Sequence, residues 1–209
     1  MLLAIDTSGR SGGIALANYD GVFAVVVAEA EISGGTFSAE LVPEIARLLG
    51  PHESGLSAVS AIAVVTGPGS FTGLRIGLAA VKGLCEAHPV PVVTVTMLEL
   101  MAAVAQAERV TTLLDASRGD VYVGKFRRCE AVCAVISEEL LAIAEVKVEG
   151  LVLTPDAAIA RVVGAVEVPR PGAADVAIYA VRKLARGLAV EADAVDAHYM
   201  RRPDAVPGK

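Results

Sequence analysis

Val64-Val65-Thr66-Gly67-Pro68-Gly69-Ser70-Phe71-Thr72-Gly73-Leu74-Arg75-Ile76-Gly77-Leu78-Ala79-Ala80-Val81-Lys82-Gly83 reads as a buried strand, a tight turn and a helix. Residues 61–65 are a short apolar run, the length of a strand covered on both faces. Pro68 fixes its own φ and pushes Gly67 out of the helical region. Ser70 or Thr72 then offers a hydroxyl to cap the helix. Gly73 and Gly77 stand four apart, with Ala80 continuing their face. A glycine inside a helix costs roughly 0.8–1.0 kcal/mol relative to alanine, so close approach by another element must offset it. Leu74, Leu78 and Val81 make a second apolar face, Ile76 and Leu84 a third. Such a helix is buried on more than one side. The spacing favours packing on its own sheet and against a partner subunit; glycines serving intrachain packing alone are the alternative. A phosphate cradle at 67–70 is weaker, because no P-loop lysine follows the turn and no GxGxxG follows the first strand.

Working outward, residues 2–5 form an apolar strand ending in Asp6-Thr7-Ser8, and 12–17 and 22–28 form two more. Leu41, Val42, Ile45, Leu48 and Leu49 recur at helical spacing, with Pro43 starting or kinking that helix. A strand at 90–95 and a helix at 97–107 complete the first unit. The second opens with a strand at 110–114 ending in Asp115-Ala116-Ser117, then strands at 121–126 and 131–136. Ser137 is set to cap a helix with Glu138 and Glu139 in its first turn. A strand at 151–153, a helix from Asp156, a strand at 166–168 and a long helix at 172–190 follow. Both halves read β-β-β-α-β-α-β, and both first strands end in Asp-x-Ser. The expectation is an α/β chain of two similar units, 1–107 and 108–209, the second returning its tail to the first. Two such units describe the actin-like (ribonuclease H-like) fold, in which acidic first-strand ends face a phosphate and metal site.

The 209 residues are 54% hydrophobic and 20% charged, with 4% aromatics and no Trp, the balance of a packed α/β protein. A net charge of −6 argues against nucleic-acid binding over a broad basic surface of its own. Cys85, Cys129 and Cys133 are sparse and odd in number, as for reduced thiols in a cytoplasmic protein. The opening reaches Asp6 too soon for a signal peptide, and no apolar run is long enough to span a membrane.

Residues 67–77, the opening Leu3-Ala4-Ile5-Asp6-Thr7-Ser8, the segment Asp115-Ala116-Ser117-Arg118-Gly119-Asp120-Val121-Tyr122 and the closing Tyr199-Met200-Arg201 resemble, in order, the signature of the bacterial TsaB (YeaZ) family. The resemblance implies a non-catalytic partner of TsaD, which transfers threonylcarbamoyl to the adenosine beside the tRNA anticodon. It implies docking on TsaD through first-domain helices, an ATPase partner TsaE, a homodimer when alone, and tRNA met only through the complex. The partner face it implies is Phe37, Leu41, Ser70, Gly73, Arg75, Ile76, Gly77 and Ala80. Phe37 stands where the family often carries histidine.

Asp6, Thr7, Ser8, Gly67 and Gly69 are the cofactor-binding candidates by analogy with actin-like ATPases, for weak ATP or ADP with magnesium. Asp6 can equally end a strand and cap a turn, and the same holds for Asp115 and Asp120. No catalytic residue and no metal ligand set is assigned. His52, His88 and His198 are scattered, without the HExxH spacing of a metalloprotease. No GxSxG elbow supports a serine peptidase. The alternatives are an actin-like nucleotide hydrolase or kinase and, remotely, a glycoprotease-like peptidase. Arg182, Lys183, Arg186, Arg201 and Arg202 form a basic set, read as a solvated helix face and tail or as tRNA contacts in a complex.

Overall fold

A computed structural model of the protein describes residues 1–200 except Gln106, Glu130 and the Cys129 side chain; Arg201 and Arg202 of the basic set lie outside the described residues. The first half runs β1 (Leu2–Asp6), β2 (Ser11–Tyr19), β3 (Ala24–Ser33), α1 (Phe37–Leu49), β4 (Ala61–Gly67), α2 (Phe71–Ala87), β5 (Val92–Thr96) and α3 (Met97–Val104). The second runs β6 (Arg109–Asp115), β7 (Asp120–Cys129), β8 (Val132–Ala142), β9 (Leu151–Thr154), α4 (Ala157–Val163), β10 (Val166–Glu167) and α5 (Ala173–Ala185).

Two five-stranded sheets result, ordered β3-β2-β1-β4-β5 and β8-β7-β6-β9-β10. In each, the first three strands pair antiparallel and the last two add parallel to the first. The duplication is therefore topological, and the fold is the expected actin-like α/β architecture. β1 and β4 are buried along their whole length, as centre strands with both faces covered must be. The outer strand β3 alternates exposed with half-buried over most of its length, and accordingly reads less apolar.

The second half departs from the expected pattern at one place. Ser137, Glu138 and Glu139 lie in the middle of β8, paired with Lys125, Gly124 and Val123 of β7. A run of ladder hydrogen bonds outweighs the cap preference of one serine, because tertiary pairing routinely overrides weak local propensity. Only a 3-10 turn at Ile143–Glu145 stands where the first half has α1.

Two helices cross the boundary between the halves. α3 packs on β6, β7 and β8, while α5 packs on every strand of the first sheet. Ala173, Ala177 and Ala180 on α5 are all buried, and their small side chains let the helix lie close to the sheet. One core therefore runs unbroken from Leu2, Ala4 and Val65 through Leu98 and Met101 to Leu114, Phe126 and Tyr179. The opposite face of the first sheet is covered by α1 and α2.

A buried polar knot ties the crossing helices together. Glu99 on α3 accepts from Lys183 Nζ at 3.0 Å and from the Tyr179 hydroxyl at 2.8 Å, both on α5. Lys183 also donates to the Thr94 carbonyl at 2.9 Å, and Tyr179 accepts from the Cys133 N–H at 3.0 Å. Burial and the neighbouring Glu99 push the Tyr179 phenol far above its ordinary value, so it stays a donor. Lys183 thus leaves the solvated basic face expected from sequence: its side chain is 13% exposed and ion-paired.

Candidate functional site

Gly69, Gly73 and Gly77 recur one helical turn apart and share a neighbour in their own chain. A Cβ on Gly69 would stand 2.1 Å from the Ser8 carbonyl oxygen, and on Gly73 2.0 Å from that of Thr7. On Gly77 it would stand 2.3 Å from Thr7 Oγ1. The turn leaving β1 lies in the groove these residues leave bare, held by the Ser70 N–H donating to the Ser8 carbonyl at 2.8 Å. Ser70 rather than Thr72 is the helix cap, its Oγ accepting from the Gly73 N–H at 3.2 Å. The glycine stripe therefore receives the β1 terminus, and the expectation that it faces a second polypeptide is corrected.

The eight expected partner-face residues separate accordingly. Phe37 and Leu41 are each 1% exposed, and Gly73 and Gly77 are buried too. The Phe37 ring lies against Gly12, where a Cβ would come within 2.9 Å of its Cζ, so its burial contributes to the core about 1.5–3 kcal/mol. Ser70 and Arg75 are exposed, and Ile76 and Ala80 half-buried. These four, with exposed Val42 on the adjoining α1, are the available part of that face.

Beside them sits a cluster that the C-terminal segment builds. The Phe71 and Tyr199 rings are 5.1 Å apart, the Arg75 guanidinium lies 3.8 Å over Phe71, and Arg75 Nε donates to the Tyr199 hydroxyl at 3.2 Å. The His198 N–H donates to the Thr66 carbonyl at 2.8 Å, and His198 Nε2 reaches Glu138 at 2.7 Å. Glu138 raises the imidazole above its ordinary value, chiefly by that hydrogen bond and against the opposing effect of burial. A raised folded value means the contact stabilises fully below about pH 6.5 and is lost as pH climbs through the folded value. An NMR titration of His198 is expected to show a midpoint above that of a free histidine, falling back in Glu138→Gln.

The cleft between the sheets is the second candidate region, about 870 Å³ in volume and lined from both halves. Asp6, 2% exposed, accepts from the Ser8 N–H at 2.8 Å and from the Ser8 hydroxyl at 2.6 Å. Asp115 repeats the motif, accepting from the Ser117 N–H at 2.8 Å. Both Asp-x-Ser endings are thus closed side-chain turns. Of Asp6, Thr7, Ser8, Gly67 and Gly69, only Ser8 and Gly69 line the cleft. Thr7 Oγ1 is buried without a hydrogen-bond partner against Gly77, and Gly67 packs on the His198 carbonyl at a φ of +134°.

Arg10, Tyr122, Asp156 and Arg170 also line the cleft, and sequence reasoning passed over all four as lining residues. Only Arg170 carried a signal, flanked as it is by Pro169 and Pro171. His52, His88 and His198 stay apart, His88 sitting 2.9 Å from the Val59 carbonyl. Among the described residues no three His, Cys, Asp or Glu side chains converge on a metal-sized site. Burial pushes the Cys85 thiol up, which disfavours its nucleophilic form.

Residues 29–197 match the family model for TsaD, tRNA N6-adenosine threonylcarbamoyltransferase. The chain is 35% identical over 133 residues to the tRNA threonylcarbamoyladenosine biosynthesis protein TsaB of Escherichia coli, covering 62% of this chain and 56% of that one. The Bacillus subtilis protein of the same name is 34% identical over 128 residues, 60% and 55% of the two chains. The aligned stretches thus span little more than half of those relatives. The structure of YeaZ from Pseudomonas aeruginosa superposes with a TM-score of 0.79 at 30% identity, covering 95% of this chain and 98% of that one. With that whole-chain match, and with the family model spanning most of its length, the chain belongs to the TsaB (YeaZ) family.

Proposed function

We propose that the chain acts in tRNA threonylcarbamoyladenosine biosynthesis as a non-catalytic subunit that binds and activates a TsaD homologue. The observation carrying this reading is its likeness to relatives named for that pathway, sustained over the whole chain in the YeaZ structure. The geometry agrees with a scaffold to this extent: Asp6, the carboxylate that an actin-like hydrolase would aim at metal or water, commits one oxygen to both the N–H and the hydroxyl of Ser8 in its own turn. The docking face is the accessible remainder of α1, α2 and the α2 cap, namely exposed Val42, Ser70 and Arg75 with half-buried Ile76 and Ala80. Alone, the chain uses the same face for a homodimer; a TsaE homologue joins the complex, and tRNA is reached only through it. A net charge of −6 fits that indirect contact. The working compartment on this reading is the cytoplasm.

The test mixes the purified chain with TsaD and TsaE from its own organism and measures association and tRNA threonylcarbamoylation. Ala80→Arg is expected to weaken association by about 30-fold or more, the scale of an interface hot spot, and the melting temperature of the isolated variant, measured alongside, separates lost docking from lost packing of this half-buried residue. Modification proceeding equally well without this chain would end the proposal. Magnesium-dependent ATP turnover by the isolated chain, lost in Asp6→Asn, would favour the hydrolase reading instead.

A further inference from the structure

We infer that the cleft holds a small oxyanion, a phosphate or carboxylate group, on the guanidinium of Arg170, and that it does so without a metal ion. Arg170 is half-buried and enters the cleft beside the end of β1. One of its terminal nitrogens donates to Ser8 Oγ at 2.8 Å. Its Nε is buried with no hydrogen-bond partner. Among the described residues no carboxylate stands within ion-pairing distance of it. Buried polar groups are almost always paired, and leaving a charged one unmatched is costly. A cation kept in this state, in a cleft, calls for an anion from outside the chain.

The local chain also holds that group still. Pro171 restricts the backbone of Arg170 to extended conformations and is itself buried. Gly9 lies over the guanidinium, where a Cβ would stand 3.3 Å from Nε. Ser8 uses its own proton on Asp6, so it presents a lone pair to Arg170 and fixes the fork in place. Arg10 lines the same cleft and is exposed, a second positive charge toward the solvent. Guanidinium is always charged and matches carboxylate and phosphate oxygens two at a time.

The rest of the lining limits what the anion can be attached to. Asp115 and Asp156 line the cleft as well, each turned to a backbone N–H of its own segment. Their negative charge disfavours a polyanion and leaves a basic subsite for a single oxyanion. Asp6, Glu29 and Glu31 line a neighbouring hollow that Arg170 also borders, so the long-range charge on Arg170 is partly balanced even though no described carboxylate pairs with it directly. Ser70 borders both this cleft and the docking face proposed above, whereas Arg170, Ser8 and Gly9 belong to the cleft and not to that face.

The experiment titrates the full chain with inorganic phosphate, AMP, ATP and acetate, each with and without a chelator. It follows the Arg170 Nε–H resonance by NMR and binding by calorimetry. Expected is saturable binding of phosphate, of acetate, or of both, indifferent to chelator. Arg170→Gln should weaken it roughly 10- to 100-fold, the effect of losing a charged hydrogen-bond pair. Arg10→Gln, on the surface, is expected to weaken it less and serves if the first variant melts early. Comparison of the phosphate and acetate arms separates the two sources of the oxyanion. No saturable response to any arm, binding that needs magnesium, or unchanged affinity in Arg170→Gln would each overturn the assignment.

Discussion

Gly73→Ala is expected to destabilise the protein by several kcal/mol, and Gly77→Val by at least as much, while Gly83→Ala on the same helix stabilises it slightly. The added methyl at 73 meets a backbone carbonyl, that of Thr7, at 2.0 Å. No flexible side chain can swing aside there, so β1 and α2 must separate. Overpacking of a tight core typically costs 1–3 kcal/mol and occasionally more, and separation of two central elements belongs at or above the upper end. At Gly83 nothing lies within 4 Å, and the helix-propensity gain of up to about 1 kcal/mol stands unopposed. Urea unfolding of the three variants decides the matter. Equal stability of Gly73→Ala and the parent chain would show that the turn after β1 does not rest on α2. A Gly77→Arg change therefore tests folding before it tests docking, and substitutions at the half-buried Ala80 are the cleaner probe of a partner.

Glu99→Ala is expected to cost about 3–5 kcal/mol, the usual consequence of stranding one member of a buried ion pair. The Glu99 and Lys183 side chains are only 7% and 13% exposed, so water solvates the ammonium left behind far less than it would at the surface. Tyr179→Phe, which removes a neutral donor from the same carboxylate, is expected to cost nearer 1–2 kcal/mol. The double change Glu99→Leu with Lys183→Met should recover most of the loss, because a matched apolar pair often equals a buried ionic one. A double-mutant cycle by urea unfolding measures the coupling. If the single and double changes prove additive, the two helices are not held by this knot. The knot joins helices from opposite halves, so its loss is also expected to loosen the halves together rather than one alone.

Much of the fold was legible because it rests on short-range rules. Apolar runs bounded by Gly, Pro and Asx turns located the strands, and the central strand–turn–helix stood out by its glycines. The helix expected after Ser137 was the plain failure: a cap serine and two acids are a local signal, and the neighbouring strand β7 supplied a longer one that only the assembled sheet contains. The site divides in the same way. Asp6 and Asp115 were visible as matched strand endings, and the structure shows both closed on their own serines. Arg170 stood more than 160 residues from Ser8 in sequence, and nothing local announced that its guanidinium would rest on that hydroxyl.

The periodicity and punctuation of the chain determined by themselves that there are two similar α/β units and that α2 must approach something closely, since those depend on neighbours within a turn or a strand. What it approaches was decided by tertiary structure alone. Long-range packing brought the end of β1 into the glycine groove, carried α3 and α5 across to the opposite sheets, and buried the Arg170 Nε–H with no acceptor from its own chain. Residue spacing reports that a surface is bare; only the chain's path through space reports which atoms fill it.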